Sequence, residues 1–262
     1  MIQATPLIST LKTESTLCIY DGKSKLDSKK DILSFLYLKP TRNSKLGSRF
    51  NYTVYAPSKY DTLHSIQSPA VCGDCTLAKP ETGNCYVTFN HLNTISKWVD
   101  NHKETINYKP DLFSSDDFSY LKMYVNGSYL RLGSQGDPVS IPIDITLKLA
   151  ELYDYKFTSY THVHSLEKIL GYEKLTLVSC ETVEQAKYFQ NYNFRTARIV
   201  PEGEKLLPSE IVCPEQEGKT LNCSMCMLCN PSNENIKKNI VFRPHGTKKN
   251  KLIKYLKSQE KI

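Results

Sequence analysis

The sequence predicts an α/β fold. Its core is a set of parallel βα units, forming an open sheet or a partial (β/α) barrel, with cysteine-rich metal-binding loops. Two observations carry that expectation. Between residues 129 and 200, short branched or aromatic runs alternate with stretches of helical periodicity, four of the first and three of the second. Around this core, seven of the nine cysteines fall into two clusters at metal-ligand spacing. Such βα units wind right-handed, which narrows the topology to the two architectures named.

Each element follows from its own residues. Residues 1–70 form a polar N-terminal arm with a short strand: SKLDSKKD and KPTRNSKLGSR bracket the apolar stretch Ile32 to Leu38, and FNYTVYA (50–56) alternates large and polar residues. Residues 71–200 are the α/β core with the first cysteine cluster. Cys72 to Cys85, holding Gly73, Pro80, Gly83 and Asn84, is a loop, and HLNTISKWVDNHKETI a short helix. YLRLG (129–133) is a strand ending in the turn GSQGDP, and a helix starts near Pro142. KFTSYT (156–161) is a strand, SLEKILG a short helix stopped by Gly171, and KLTLVSC (174–180) a strand. VEQAKYFQNYN (183–193) is a helix and RTARIV (195–200) a strand. Residues 201–246 are a cysteine-rich, turn-rich segment closing on the strand NIVFRP. Residues 247–262 are a basic tail, better read as solvated than as a nucleic-acid arm, although Leu252, Ile253 and Leu256 would give a helix an apolar side.

Composition bounds the function. The 262 residues suit one to two domains, and 40% hydrophobic with 23% charged residues excludes a disordered, collagen-like or coiled-coil chain. A net charge of +7 permits nucleic acid but fits plain solubility better. The opening MIQATPLISTLKTEST has no basic stretch followed by a long apolar one, and no run approaches the roughly 18 apolar residues of a membrane span. The expected setting is therefore the reducing cytoplasm, with no membrane partner, where clustered thiols hold metal and seldom pair.

The first cluster is Cys72-x2-Cys75-x9-Cys85 and the second Cys213-x9-Cys223-x2-Cys226-x2-Cys229. A two-residue gap lets both thiolates of a turn face one ion while backbone amides bond to the sulfurs. The second set, with Pro214 beside its outlying cysteine, is close to the ligand run of a 4Fe–4S ferredoxin. The same four thiolates could hold structural zinc, and softness alone does not choose between the two. A three-cysteine set leaves one coordination position open to substrate or cofactor. This trio departs from the Cys-x3-Cys-x2-Cys of radical S-adenosylmethionine enzymes. Cys18 and Cys180 read as packed thiols.

In α/β folds the active groups collect at the carboxyl ends of the strands. Arg131, Asp137, His162 and Glu181 lie there as candidate catalytic groups, with Gly136, Thr161, Ser179 and Arg198 as candidate cofactor contacts. A carboxylate, an imidazole and a guanidinium converging there suit an anionic ligand and proton transfer. The bland alternative is capping: Asp137 precedes Pro138, and Glu181 adjoins a helix start. No phosphate loop, G-x-S-x-G, H-E-x-x-H or dinucleotide fingerprint is present.

Taken in order, RLGSQGDP, YTH, VSCETVEQA, ARIVPEGEKLLPSEIVCPEQEGKTLNCSMCMLC and VFRPHG resemble the "gene 88 protein" family of bacteriophages and plasmids over roughly residues 70–246. The resemblance maps its Arg-to-Gly-Asp-Pro turn onto Arg131, Gly136, Asp137 and Pro138, and its Tyr-Thr-His onto Tyr160 to His162. Where relatives carry Ser-Val-Asp, this chain has Ser179, Cys180 and Glu181, which keeps the acid but implies that Cys180 is not a required ligand. The resemblance implies a phage or mobile-element origin and the cytoplasm of an infected cell, and no particular activity. The leading expectation is an iron–sulfur protein, a redox or radical-type enzyme with a small-molecule ligand at the strand ends. The rival is a zinc-stabilised nucleic-acid- or protein-binding module of phage replication or host takeover, supported by the charge, seventeen tyrosines and the basic tail. A third has both metal sites purely structural.

Overall fold

The computed structural model describes residues 15–57, 68–78, 84–85, 108, 110–113 and 116–259. The expected helix around residues 91–106 lies outside them. Nine strands form one sheet in the order β1-β2-β3-β4-β5-β6-β7-β9-β8. Strands β1 (Thr16–Lys23), β2 (Asp31–Tyr37) and β3 (Phe50–Pro57) pair antiparallel, and β3 then pairs parallel with β4 (Tyr129–Gln135). From there β5 (Phe157–Thr161), β6 (Leu177–Cys180), β7 (Thr196–Ile199) and β9 (Asn239–Phe242) run parallel, with β8 (Glu210–Val212) parallel on the outer side of β9. The expected parallel βα core is present.

The first 70 residues are not merely an arm with one short strand. They supply a third of the sheet. Strand β2 is central between β1 and β3 and buried along both faces, so it shows a continuous apolar run without alternation. The lysine-rich SKLDSKKD is the loop joining β1 to β2, closed by Ser24 N–H donating to the Lys30 carbonyl at 2.9 Å.

Helices α1 (Pro69–Cys72), α2 (Asp116–Tyr124), α3 (Ile143–Leu152), α4 (Leu166–Ile169) and α5 (Val183–Asn191) follow the chain between strands. Leu149, Leu152, Ile169, Ala186 and Phe189 from α3, α4 and α5 bury against Leu130, Leu132, Phe157 and Val178 in the largest apolar cluster. Thr182 caps α5 reciprocally with Gln185, a capping box.

The opposite face is concave. Tyr160 on β5 and Phe242 on β9 touch at 5.8 Å between ring centroids although β6 and β7 separate them. Three strand spacings in a flat sheet are about 14 Å. The sheet is therefore curved between β5 and β9, and its edge strands, β1 and β8, are unpaired with each other among the described residues.

The cysteine-rich segment is the crossover from β8 back to β9. It carries α6 (Cys223–Cys226) and inserts β9 between β7 and β8. The basic tail is not simply solvated: it forms α7 (Lys249–Gln259), whose Leu256 is buried and whose Leu252 and Tyr255 face inward. Its apolar side outweighed its charge because the lysines project from the other side. Among the described residues no helix is long and apolar enough to cross a membrane.

Candidate functional site

A cavity of about 460 Å³ opens at the carboxyl ends of the parallel strands. Alternation along each strand decides what faces it. Arg131, Gly133 and Gln135 come from β4, Tyr160 and His162 from β5 and beyond, Ser179 from β6, Ala197 and Ile199 from β7, and Phe242 from β9. The two cysteine clusters stand on its walls: Cys72, Cys75 and Cys85 on one side, Cys213 and Cys223 on the other. The sequence placed these clusters 128 or more residues apart; the sheet's curl brings both to one space.

The first trio is built around α1. Cys72 ends that helix, and the chain turns through Gly73 into a 3-10 turn, Thr76–Ala78. The backbone amides of Leu77 and Ala78 donate to the Cys75 sulfur. Burial pushes the Cys75 thiol up to about 12, and burial with the charges of Cys75 and Cys85 pushes Cys72 well above its ordinary value.

In the second set, Cys213 follows β8 on the concave face, and the amides of Gln216 and Glu215 donate to its sulfur. Cys223 and Cys226, three apart on α6, share a helix face. Asn222 caps that helix, accepting from Met225 N–H at 3.2 Å, and the carbonyls of Lys45 and Leu46 accept from Cys223 and Ser224 amides at 2.8 and 3.1 Å. Met227, with φ +47°, turns the chain so that Cys229 comes back beneath the Tyr160 hydroxyl, which donates to its sulfur. Burial and the neighbouring thiols raise Cys223 to about 11 and Cys229 to about 12. Arg195 holds the segment: its guanidinium donates to the carbonyls of Leu228, Asn230 and Lys238 at 2.7–3.1 Å.

The thiol chemistry of these sets is of the kind a thiophilic metal would take. Backbone amides aimed at Cys75 and Cys213 stabilise thiolates, and buried thiols that raise one another's pKa accept ionisation together only with a cation between them. Among the described residues, however, no three His, Cys, Asp or Glu side chains stand close enough to grip an ion as they lie. All nine cysteines are free thiols. Cys18 packs in the apolar cluster of β1, β2 and β3, and Cys180 packs in the main core cluster while also lining the cavity.

The strand-end residues divide. Arg131 lies in the cavity with its guanidinium carbon 4.4 Å from the centroid of the Tyr160 ring. His162 lines the same space, and burial, then His164 and Arg131, lower it to about 4, so its imidazole is neutral near neutral pH. Ser179 is present there too, its carbonyl accepting from His164 Nε2 at 2.8 Å.

Asp137 and Thr161 form a brace. Asp137 Oδ1 accepts from Val139 N–H at 3.0 Å, and Oδ2 accepts from Thr161 Oγ1 at 2.9 Å and His162 N–H at 2.8 Å. The Asp137 carboxylate thus caps the turn after β4 and fastens it to the end of β5, and burial lifts it to about 6. Glu181 accepts from Thr76 Oγ1 at 2.6 Å and from the Tyr255 hydroxyl at 3.4 Å, joining β6 to the trio's turn and to α7.

Gly136, at φ +77°, has a backbone role: a Cβ would stand 2.5 Å from Val71 Cγ1 and 2.9 Å from Tyr55 Cβ. Arg198, expected among the cofactor contacts, faces away. It lies between Ala197 and Ile199 on the opposite face of β7 and makes a buried two-point ion pair with Glu210 at 2.6 and 3.0 Å.

Sequence reasoning missed Tyr160 as a site residue, and also Gln135, Asn84 and Arg195. The parity of Arg131 and Gln135 on one strand was the available signal for Gln135. Nothing local marks Arg195, whose partners lie 33–43 residues away. No family model, no curated protein and no solved structure matches this chain.

Proposed function

We propose that this protein is a metal-dependent, iron–sulfur α/β enzyme of redox or radical type, acting on a small molecule in the strand-end cavity. One observation carries the reading: both cysteine clusters line a single cavity that also holds Arg131, His162 and Ser179. A purely structural metal site has no need to face a ligand-sized space. Cys213, Cys223, Cys226 and Cys229 would hold one closed cluster, and Cys72, Cys75 and Cys85 a second with a position open to the cavity. When bound, such clusters supply single electrons and, at the open position, a Lewis-acidic iron. The chain's own groups do the rest. Arg131 brings positive charge to the cavity, neutral His162 is available to accept a proton, and Asp137, Thr161 and Glu181 keep the strand ends in place. Free thiols throughout suit a reducing cytoplasm. The ordered series of motifs supports a phage or mobile-element origin.

The test is iron and acid-labile sulfide analysis, with a visible spectrum, on protein purified without oxygen. Iron and sulfide in equal amounts, both reduced in Cys223→Ser and in Cys72→Ser, are expected. Zinc alone would overturn the iron–sulfur assignment and favour the second reading, a zinc-stabilised nucleic-acid-binding module. That reading draws on α7, where Lys249, Lys251, Lys254 and Lys257 are exposed beside the cavity mouth. It requires duplex or single-stranded DNA to bind with a steep salt dependence.

A further inference from the structure

The first cysteine trio is only partly fixed by its own stretch of chain. Cys72 and Cys75 are set by α1 and the turn after it, where Cys75 N–H donates to the Cys72 carbonyl at 3.2 Å. That local geometry does not reach Cys85, ten residues further on. The Cys85 carbonyl instead accepts from Lys248 Nζ at 2.6 Å, a contact that spans 163 residues of sequence. Lys248 stands immediately before α7, and its own carbonyl accepts from Leu252 N–H at 3.0 Å, so it is continuous with that helix.

A second anchor runs from α7 to the other half of the trio. The Tyr255 hydroxyl donates to Glu181 Oε2 at 3.4 Å, while Glu181 Oε1 accepts from Thr76 Oγ1 at 2.6 Å. Thr76 follows Cys75 directly and opens its 3-10 turn. Glu181 is buried, so the carboxylate is held between helix and turn. Between the two anchors Leu252 lines the cavity, and Leu256 beyond them is buried. Lys248, Leu252, Tyr255 and Leu256 recur at helical spacing and share one face. Lys249, Lys251, Lys254 and Lys257 are exposed.

The helix is also separable from the sheet. Its backbone hydrogen bonds close within it, and the residues leading into it, His245, Gly246 and Thr247, are exposed. A unit held by a few side-chain contacts opens locally at lower cost than the strands beneath it.

We propose that α7 is a clasp on the first cysteine trio: docked, it positions Cys85 relative to the Cys72–Cys75 turn and closes the cavity beside them, and released, it opens the trio to solvent. Lys248, Tyr255 and Glu181 are its positioning residues. The proposal rests on the trio being part of the functional site described above, and holds whichever metal the thiols carry. The second cysteine set, gathered by Arg195, lies outside the clasp.

The test is alkylation of the intact protein by iodoacetamide, as purified and again after chelator treatment, with each cysteine followed by peptide mass spectrometry. Lys248→Met should label Cys72, Cys75 and Cys85 at least about tenfold faster than the wild type. Losing one hydrogen bond from a charged donor raises the open population by that much. Adding Tyr255→Phe should speed them further, and Lys248→Arg should restore slow labelling. Cys18 and Cys226 should keep their wild-type rates. Trio rates unchanged in variants that melt like the wild type would overturn the clasp. Equal acceleration of all five thiols would do so too, because it reports general loosening. If a variant does not fold, hydrogen exchange of the wild type decides. The amides of α7 should exchange well before those of β4 to β7, and exchange together with those strands would overturn the proposal. Iron in a protein whose trio ignores α7 defeats this inference alone. The expected labelling in an iron-free protein defeats the iron–sulfur reading alone.

Discussion

The hydroxyl of Thr161 donates to Asp137 Oδ2 at 2.9 Å, and through that bond the turn leaving β4 is fastened to the end of β5. Both residues lie where catalytic groups are expected in this fold class. What they do is hold two strand ends in register, so that Arg131 and His162, carried on those strands, keep their places in the cavity.

The brace has a titration signature. Burial raises Asp137 from 3.8 in the open chain to about 6, so the folded state holds that proton more tightly. Its contribution is present below about pH 4 and is lost as pH rises to about 6. His162 runs the other way: lowered from 6.5 to about 4, it contributes above 6.5 and loses that contribution as pH falls. The two oppose each other across one window, and the wild type should change little there. Asp137→Asn removes one side, and its stability should fall by on the order of 3 kcal/mol between pH 6.5 and 4. Urea melts at stepped pH read this directly; a profile parallel to the wild type would show that burial does not set these two pKa values.

Gly136→Ala should destabilise the fold by about 2 kcal/mol or more, because φ is positive and the new methyl meets Val71 and Tyr55. Both groups belong to packed elements and have little room to retreat. Thermal melting checks it. A variant as stable as the wild type would mean that the turn after β4 shifts freely.

Arg198 and Glu210 are 3% and 0% exposed in their side chains, and each is the other's charge partner. Arg198→Ala leaves a buried carboxylate uncompensated and should cost about 3–5 kcal/mol. Because the pair is on the far face of the sheet, any metal held under the proposed function should persist in whatever fraction folds. Loss of metal without loss of stability would place Arg198 at the site after all.

If the second cysteine set holds the proposed metal, Arg195 should matter for its retention. Arg195→Ala removes the hydrogen bonds that gather the carbonyls on either side of Cys229, and metal should leave faster when challenged with a chelator. Arg195→Lys should rescue poorly, since a single ammonium cannot reach carbonyls arranged for a planar fork. Equal release rates for the two variants and the wild type would remove Arg195 from the account.

Residues 129–200 were legible because each element is local. Apolar period and turn residues specify YLRLG as a strand, the helix after Pro142 and the capped helix after Thr182 without reference to the rest of the chain. The cysteine spacing was legible for the same reason: two thiols three residues apart on one turn face together in any context. By contrast, β8 is three residues long and shows no pattern that length could distinguish from a loop. Arg198 was misplaced because both faces of a parallel strand are covered, so alternation separates Arg198 from its neighbours without saying which face is the cavity. Lysines hid the amphipathic α7 in the same way that a continuous apolar run hid the centrality of β2.

By itself the sequence determined a parallel βα core and two thiol clusters, since both depend on residues near one another in the chain. Only the tertiary structure decided that the clusters share a cavity, that Asp137 and Thr161 brace it, and that Asn84 and Gln135 line it together with Arg131. Those relations come from the insertion of β9 between β7 and β8 and from the curl of the sheet, both set by long-range packing that no short stretch of sequence encodes.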